Sequence, residues 1–133
     1  MKFTINEAQE INVLSDVAML LLHGVTAGHV HHWNAIGTEA YAEHKAIGKF
    51  YEKLDELTDS LIEGCLTDKS KIISTERALF LGKTSLELVR YIYDELAILR
   101  RNPSFPQKSE IQNAVDEIAM LCNHTINQLV RLG

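Results

Sequence analysis

The chain has 133 residues, of which 46 % are apolar and 23 % charged, with a formal net charge of −5. That size and composition suit one soluble domain spanning residues 1–133 around one core. The acidic balance excludes the basic face that nucleic-acid binding requires, and Met1 to Glu10 carry one lysine and two glutamates, so there is no basic arm.

Asn6, Glu7, Gln9 and Glu10 interrupt the apolar run that a signal peptide would need. The longest uninterrupted apolar stretch, Val17 to Leu22, is far short of the roughly 20 residues that span a bilayer. Cys65 and Cys122 form no CxxC and are too few for a disulfide scaffold. The expectation is a cytoplasmic protein with reduced thiols and no membrane partner.

Helical periodicity appears in four segments. Helix A is expected from about Asn6 to Ala35, with Ile11, Leu14, Ala18, Leu21 and Val25 on one stripe and Thr4 and Glu7 at capping-box spacing. Helix B is expected from about Glu39 to Cys65, with an apolar stripe including Ile47, Phe50, Leu54 and Leu61. Gly37 and Thr38 leave only a short turn between them, which makes A and B antiparallel neighbours.

Helix C is expected from about Ser85 to Arg101, opened by Thr84 with Glu87. Helix D runs from about Glu110 to Leu132, with Ser109 and Gln112 as candidate caps, and both prolines place Asn102 to Lys108 in a loop. Residues Leu66 to Lys83 admit two readings. They can cross the length of the bundle, with a short helix over Thr75 to Leu81, making B and C parallel; or C begins near Thr75 and the bundle is up-down-up-down. Gly82 and the cap at Thr84 favour the crossover. The expected fold class is therefore all-α, a four-helix bundle with a long B–C crossover, the connectivity of ferritin-like bundles.

Four of the six histidines fall within ten residues, at His23, His29, His31 and His32, and His44 opens helix B. Helix B also carries Asp55, Asp59 and Glu63 along the flank that holds His44 and Gly48. Imidazole with carboxylate is a ligand set for iron or zinc. His32 and His44 flank the A–B turn at similar depth, whereas Asp59 lies fifteen residues beyond His44, about 22 Å along a helix. One ion with ligand bonds near 2 Å cannot join both groups of one chain. A second copy with its helix B antiparallel would bring its Asp59 and Glu63 to His32 and His44, and two-fold symmetry would make two such sites. On this flank Gly48 would let a second backbone approach closely.

The run Leu22-His23 through His31-His32-Trp33-Asn34, followed by Gly37 and His44, resembles the pattern of the Dps mini-ferritins. From His32, the intervals of 12 to His44, 27 to Asp59 and 31 to Glu63 are similar to that family's ferroxidase ligand spacing. The resemblance covers about Leu21 to Glu63. It implies a ferritin-like fold and ferrous iron (or zinc or another divalent metal in its place) held by His32 and His44 of one chain with Asp59 and Glu63 of another. It implies oxidation by peroxide or dioxygen and self-association, as a dimer at minimum and as a larger cage in many members. It also places Trp33 beside the metal as a radical interceptor, with Asp55 and Gly48 close by.

The chain departs from the family in four ways. Gly48 stands where many members have a further acidic residue, Gly64 follows Glu63 where arginine is usual, the basic tail is absent, and the chain is shorter. Without the carboxylate at Gly48, a second, weaker iron position loses a ligand, and oxidase activity is expected to be lower or absent. These features resemble an uncharacterised phage-encoded branch, which implies host cytoplasm or virion as the setting.

Plainer readings stand beside this one. His29 lines a half-buried face, His23 sits beside the core stripe, His31 faces solvent, and His124 is structural. Cys65 and Cys122 are inert core thiols, and Glu52, Asp55 and Glu56 form a solvated face. No phosphate-loop, dinucleotide-binding or HExxH motif is present. The absence of Glu-x-x-His pairs favours an intersubunit over an intrasubunit site. The competing function is a non-catalytic oligomeric bundle, structural or interaction-mediating, with vestigial or structural metal sites.

Overall fold

The computed structural model describes residues 5–38, 40–74 and 81–132, and of 5–12 the backbone only. Its elements are α1 (Ile5–Asn34), α2 (Tyr41–Cys65), α3 (Ser85–Leu99) and α4 (Ser109–Leu132). The chain is an all-α four-helix bundle with no strand among the described residues. Each helix expected from periodicity is present, with ends within two residues of expectation. The Thr4 cap lies outside the described residues. So does the short helix expected over Thr75 to Leu81, except for Leu81, which is irregular.

α1 packs on α2 and α3, and α4 packs on the same two. Three hydrogen bonds give the direction of the chain between α2 and α3. Ile73 N–H donates to Ser15 Oγ at 3.0 Å, in the first half of α1. The Leu81 carbonyl accepts from His31 Nε2 at 2.7 Å, near its end. Sixteen helical residues separate Ser15 from His31, about 24 Å, so the connection traverses the bundle alongside α1. Ser85 Oγ, at the start of α3, donates to Glu43 in the first turn of α2 at 2.8 Å. The two helices therefore begin at the same end and run parallel, which rules out the up-down-up-down alternative.

The crossover explains why α1 is apolar on several sides. It buries Val17, Leu20 and Leu21 completely while packing on two helices and bonding to Ile73 and Leu81. By length and composition Val13–Asn34 could itself cross a bilayer, with mean hydropathy 1.4 over its most apolar stretch; 56 % of that stretch is buried inside the bundle. Its apolar residues do not form one uninterrupted run, because serine, aspartate, glycine and histidine are interspersed among them. A helix apolar around its whole circumference needs cover on more than one side, and the bundle supplies it.

α3 starts as its sequence predicts. Thr84 is extended, and its Oγ1 accepts from Glu87 N–H at 3.1 Å. Glu87 reaches back to Lys83 N–H at 2.6 Å, one residue before the position usual in a capping box. Thr84→Ala should therefore lower stability by about 1 kcal/mol, read as an earlier denaturant midpoint with an unchanged slope.

The α3–α4 connection departs from expectation. α4 begins at Ser109, and the Lys108 carbonyl accepts from Ile111 and Gln112 N–H. Gln112 does not cap with Ser109: its amide accepts from Arg100 Nε at 2.9 Å and donates to the Pro106 carbonyl at 3.0 Å. Arg100 also donates to Asp116 at 2.7 Å. These bonds hold a loop whose Phe105 is fully buried, so the segment read as a plain loop closes the end of the core. Burying such a ring contributes about 2 to 3 kcal/mol, which a short proline-flanked loop can supply only when pinned at both ends.

Candidate metal centre

His32 stands in the last turn of α1 and His44 in the first turn of α2. Gly37, at φ +90°, lets the intervening turn reverse without steric cost. The turn brings the two imidazoles face to face, with ring centroids 3.7 Å apart and planes inclined by 22°. His32 Nδ1 donates to the His44 carbonyl at 2.8 Å, and His44 Nδ1 donates to the His32 carbonyl at 2.7 Å. A carbonyl oxygen only accepts, so both protons sit on Nδ1. In the tautomer protonated at Nδ1 alone, Nε2 carries the lone pair. Orientation through an Nδ1–H to carbonyl bond is how protein metal sites hold histidine ligands.

Gly48 has a different role from the one expected. A Cβ placed on it would lie 2.9 Å from both Cε1 and Nδ1 of His32. The close approach there is made by an imidazole of the same chain, not by a second backbone. A carboxylate at this position would occupy the volume that His32 fills. The exchange is reciprocal, because a Cβ on Gly28 of α1 would lie 2.9 Å from Tyr51 Cβ of α2. Each helix supplies a glycine where a side chain of the other comes closest, the His32 ring at Gly48 and the Tyr51 Cβ at Gly28.

A further aromatic layer adjoins the pair. His29 stacks on Tyr51 at 4.3 Å with planes at 19° and lies 4.4 Å from Trp33. Tyr51 meets the edge of His32 at 5.5 Å. Trp33 covers His29 from outside and is 63 % exposed. The sequence places Tyr51 on the apolar stripe of α2, and it does pack against the core; its contact with the histidines was not foreseen, although its place seven residues after His44 offered the signal.

Asp55, Asp59 and Glu63 are exposed on α2. The structure thus joins the two predicted histidines and leaves the two predicted carboxylates farther along α2. Among the described residues no cluster of three or more His, Cys, Asp or Glu side chains is close enough to hold an ion. One chain brings together two oriented imidazoles, a donor type that suits divalent cations preferring nitrogen and oxygen ligands.

His31 does not face solvent. It is 8 % exposed and spends Nε2 on the crossover carbonyl of Leu81, because the crossing chain covers that side of α1. His29 and His23 are half-buried, as expected for a packed face, and His124 is exposed. Cys122 is completely buried, and desolvation pushes its thiol up to about 12. Cys65 is half-buried and its thiol is raised for the same reason. Neither is poised as a thiolate ligand or nucleophile. Glu52, Asp55 and Glu56 form the solvated face expected, with Glu56 3.3 Å from Lys53. A cleft of about 550 Å³ opens beside Leu14, Gly64, Cys65 and Ile111, and its described lining contains no histidine or carboxylate.

No curated protein and no solved structure matches the chain. One family model matches residues 32–129, a span that begins at His32 and contains His44, Asp59 and Glu63. The chain belongs to that family, described as a family of unknown function (DUF5856).

Proposed function

We propose that the protein is a Dps-like, ferritin-like iron-binding protein that works as a dimer or larger assembly. Ferrous iron would be held by His32 and His44 of one chain and by Asp59 and Glu63 of a second. The observation that carries this reading is the reciprocal His32–His44 pair, whose Nδ1 protons are engaged and whose Nε2 lone pairs remain for a ligand. The parallel α2 and α3, joined by a chain that crosses the bundle, support the ferritin-like assignment by connectivity.

The chemistry asked of these residues is modest. The carboxylates neutralise the cation and favour its ferric state, while the imidazoles complete the coordination and leave positions open. Iron held there would be the substrate, two ferrous ions in all supplying the two electrons that reduce a peroxide to two hydroxides; dioxygen is the other candidate oxidant. The clash at Gly48 means that the carboxylate many mini-ferritins carry there cannot be accommodated beside His32 as it stands. Oxidation slower than in that family follows. The setting that fits reduced iron and free thiols is cytoplasmic, in a host cell or a virion if phage-encoded.

The test is anaerobic titration with Fe²⁺, followed by peroxide. Wild-type protein should bind one ion per chain at its highest-affinity site and consume peroxide. His44→Ala and Asp59→Asn should each weaken binding by at least about 100-fold, since loss of a mere supporting partner already costs 10- to 100-fold. Equal metal content in both variants would remove the metal reading and leave a non-catalytic assembling bundle.

A further inference from the structure

Far from the histidines, four segments of the chain enclose the cleft of about 550 Å³. Its Leu14, on α1, stands eighteen residues before His32, about 27 Å along that helix. α2 ends at Cys65 and Leu66 is extended, so the chain turns aside there to begin its return along α1. A gap is left between the last turn of α2 and the first turn of α4, and Gly64 keeps it open. A Cβ on Gly64 would meet Ile111 Cδ1 of α4 at 3.6 Å, so any longer side chain there would grow from one wall towards the other. Hydrogen bonds hold the walls. Thr67 N–H donates to Ser70 Oγ at 3.1 Å on the crossover side. Gln107 Nε2 donates to the Arg100 and Phe105 carbonyls, both at 2.9 Å, on the loop side. A ligand therefore meets a cleft that is already formed, as small-molecule sites usually are.

The lining has a definite chemistry. Leu14, Leu66 and Ile111 supply an aliphatic surface, and no aromatic ring is present to stack on a base or a sugar. Lys71 from the crossover and Lys108 from the α3–α4 loop stand beside it, and the described lining holds no carboxylate. Asp68 and Glu110 are close to them in sequence, but both are exposed and outside the lining. Among the described residues neither lysine is in an ion pair. In a chain of net charge −5, two ammonium groups from separate segments at the edge of an aliphatic cleft make a local place for negative charge. The volume lies within the roughly 300 to 1,000 Å³ of small-molecule sites.

We propose that this cleft binds a free medium-chain fatty-acid anion, with its carboxylate held by Lys71 and Lys108 and its alkyl chain against Leu14, Leu66 and Ile111. Lysines carry point charges on flexible stems, so the two can close on a carboxylate from opposite sides of the cleft. The site stands apart from the iron reading, since none of its residues belongs to the proposed metal centre.

Two measurements on the full chain test the proposal. Calorimetric titration with decanoate, octanoate and hexanoate, each below its micelle-forming concentration, reads affinity. Alkylation of Cys65, which lines the cleft, reads the place of binding, with the completely buried Cys122 as internal reference. One decanoate should bind per chain and slow Cys65 alkylation over the same concentration range. Affinity should fall up to about fourfold for each methylene removed. Lys71→Ala and Lys108→Ala, both at exposed positions, should each weaken decanoate binding about two- to fivefold, the range of an exposed ion pair. Lys53→Ala, outside the cleft, should change nothing, and Gly64→Leu should abolish binding by filling the gap. Decylammonium binding as tightly as decanoate, affinity unchanged in both cleft-lysine variants, or no protection of Cys65 overturns the proposal. Protection by anionic phospholipid vesicles but not by free decanoate overturns it as well, and would assign the lysines to a membrane surface.

Discussion

An equimolar mixture of His44→Ala and Asp59→Asn proteins should recover metal sites that neither variant has alone. In either homodimer both sites lack a ligand. In the mixed dimer one site lacks two, and the other draws His44 from the Asp59→Asn chain and Asp59 from the His44→Ala chain, so it is whole. Random assortment makes half of all dimers mixed, giving roughly a quarter of the wild-type number of high-affinity sites. The measurement is zinc or ferrous titration of the mixture against each variant alone. Recovery discriminates sharply, because four ligands on one chain could never be restored by mixing. The rise of about 22 Å from His44 to Asp59 on the single helix α2 is the physical reason to expect it. A mixture that binds no more than the mean of its components would refute the shared site.

Replacing Gly48 should damage the site even when the replacement adds a carboxylate. In an exposed helix Gly→Ala gains about 1 kcal/mol of helix propensity. At Gly48 the added Cβ would sit 2.9 Å from two atoms of the His32 ring. Making room means displacing that ring from its stack on His44 and losing its bond of 2.8 Å to the His44 carbonyl. Overpacking costs about 1 to 3 kcal/mol, so the net effect of Gly48→Ala is a loss of stability of up to about 2 kcal/mol, with metal affinity falling at least tenfold. Gly48→Asp should be worse, although it adds a carboxylate beside the histidines. Gly64→Ala is the control: its Cβ would meet Ile111 Cδ1 at 3.6 Å, an ordinary contact, so the propensity gain should survive there. Denaturant midpoints and zinc titrations of the three variants read the effect. Tighter metal binding in Gly48→Asp would show that the ring is free to move and that the packing argument is wrong.

Much of the fold was legible because it rests on local chemistry. Thr84 and Glu87 announce the start of α3 by themselves, and the bond between them is made within one helical turn. Gly37 at φ +90° announces the α1–α2 reversal. His32 and His44 were legible as a pair for the same reason, since a short turn between antiparallel helices leaves few other places for them. Gln112 was misread because its spacing from Ser109 suits a cap, yet Arg100 and Pro106, distant in sequence, offer its amide better partners. His31 was misread because nothing on α1 reveals that residue 81 will return to cover it.

By itself, the sequence determined four helices, their ends to within two residues, and the impossibility of joining His44 to Asp59 of the same chain around one ion. Those follow from the period and rise of the α-helix, which depend on neighbours only a few residues away. Tertiary structure alone decided that the connection after α2 traverses the bundle, that Phe105 closes its end, and that His32 rather than a carboxylate fills the space over Gly48. Each of these is a choice of packing partner between segments far apart in the chain, and no local pattern encodes which distant side chain will occupy a given gap.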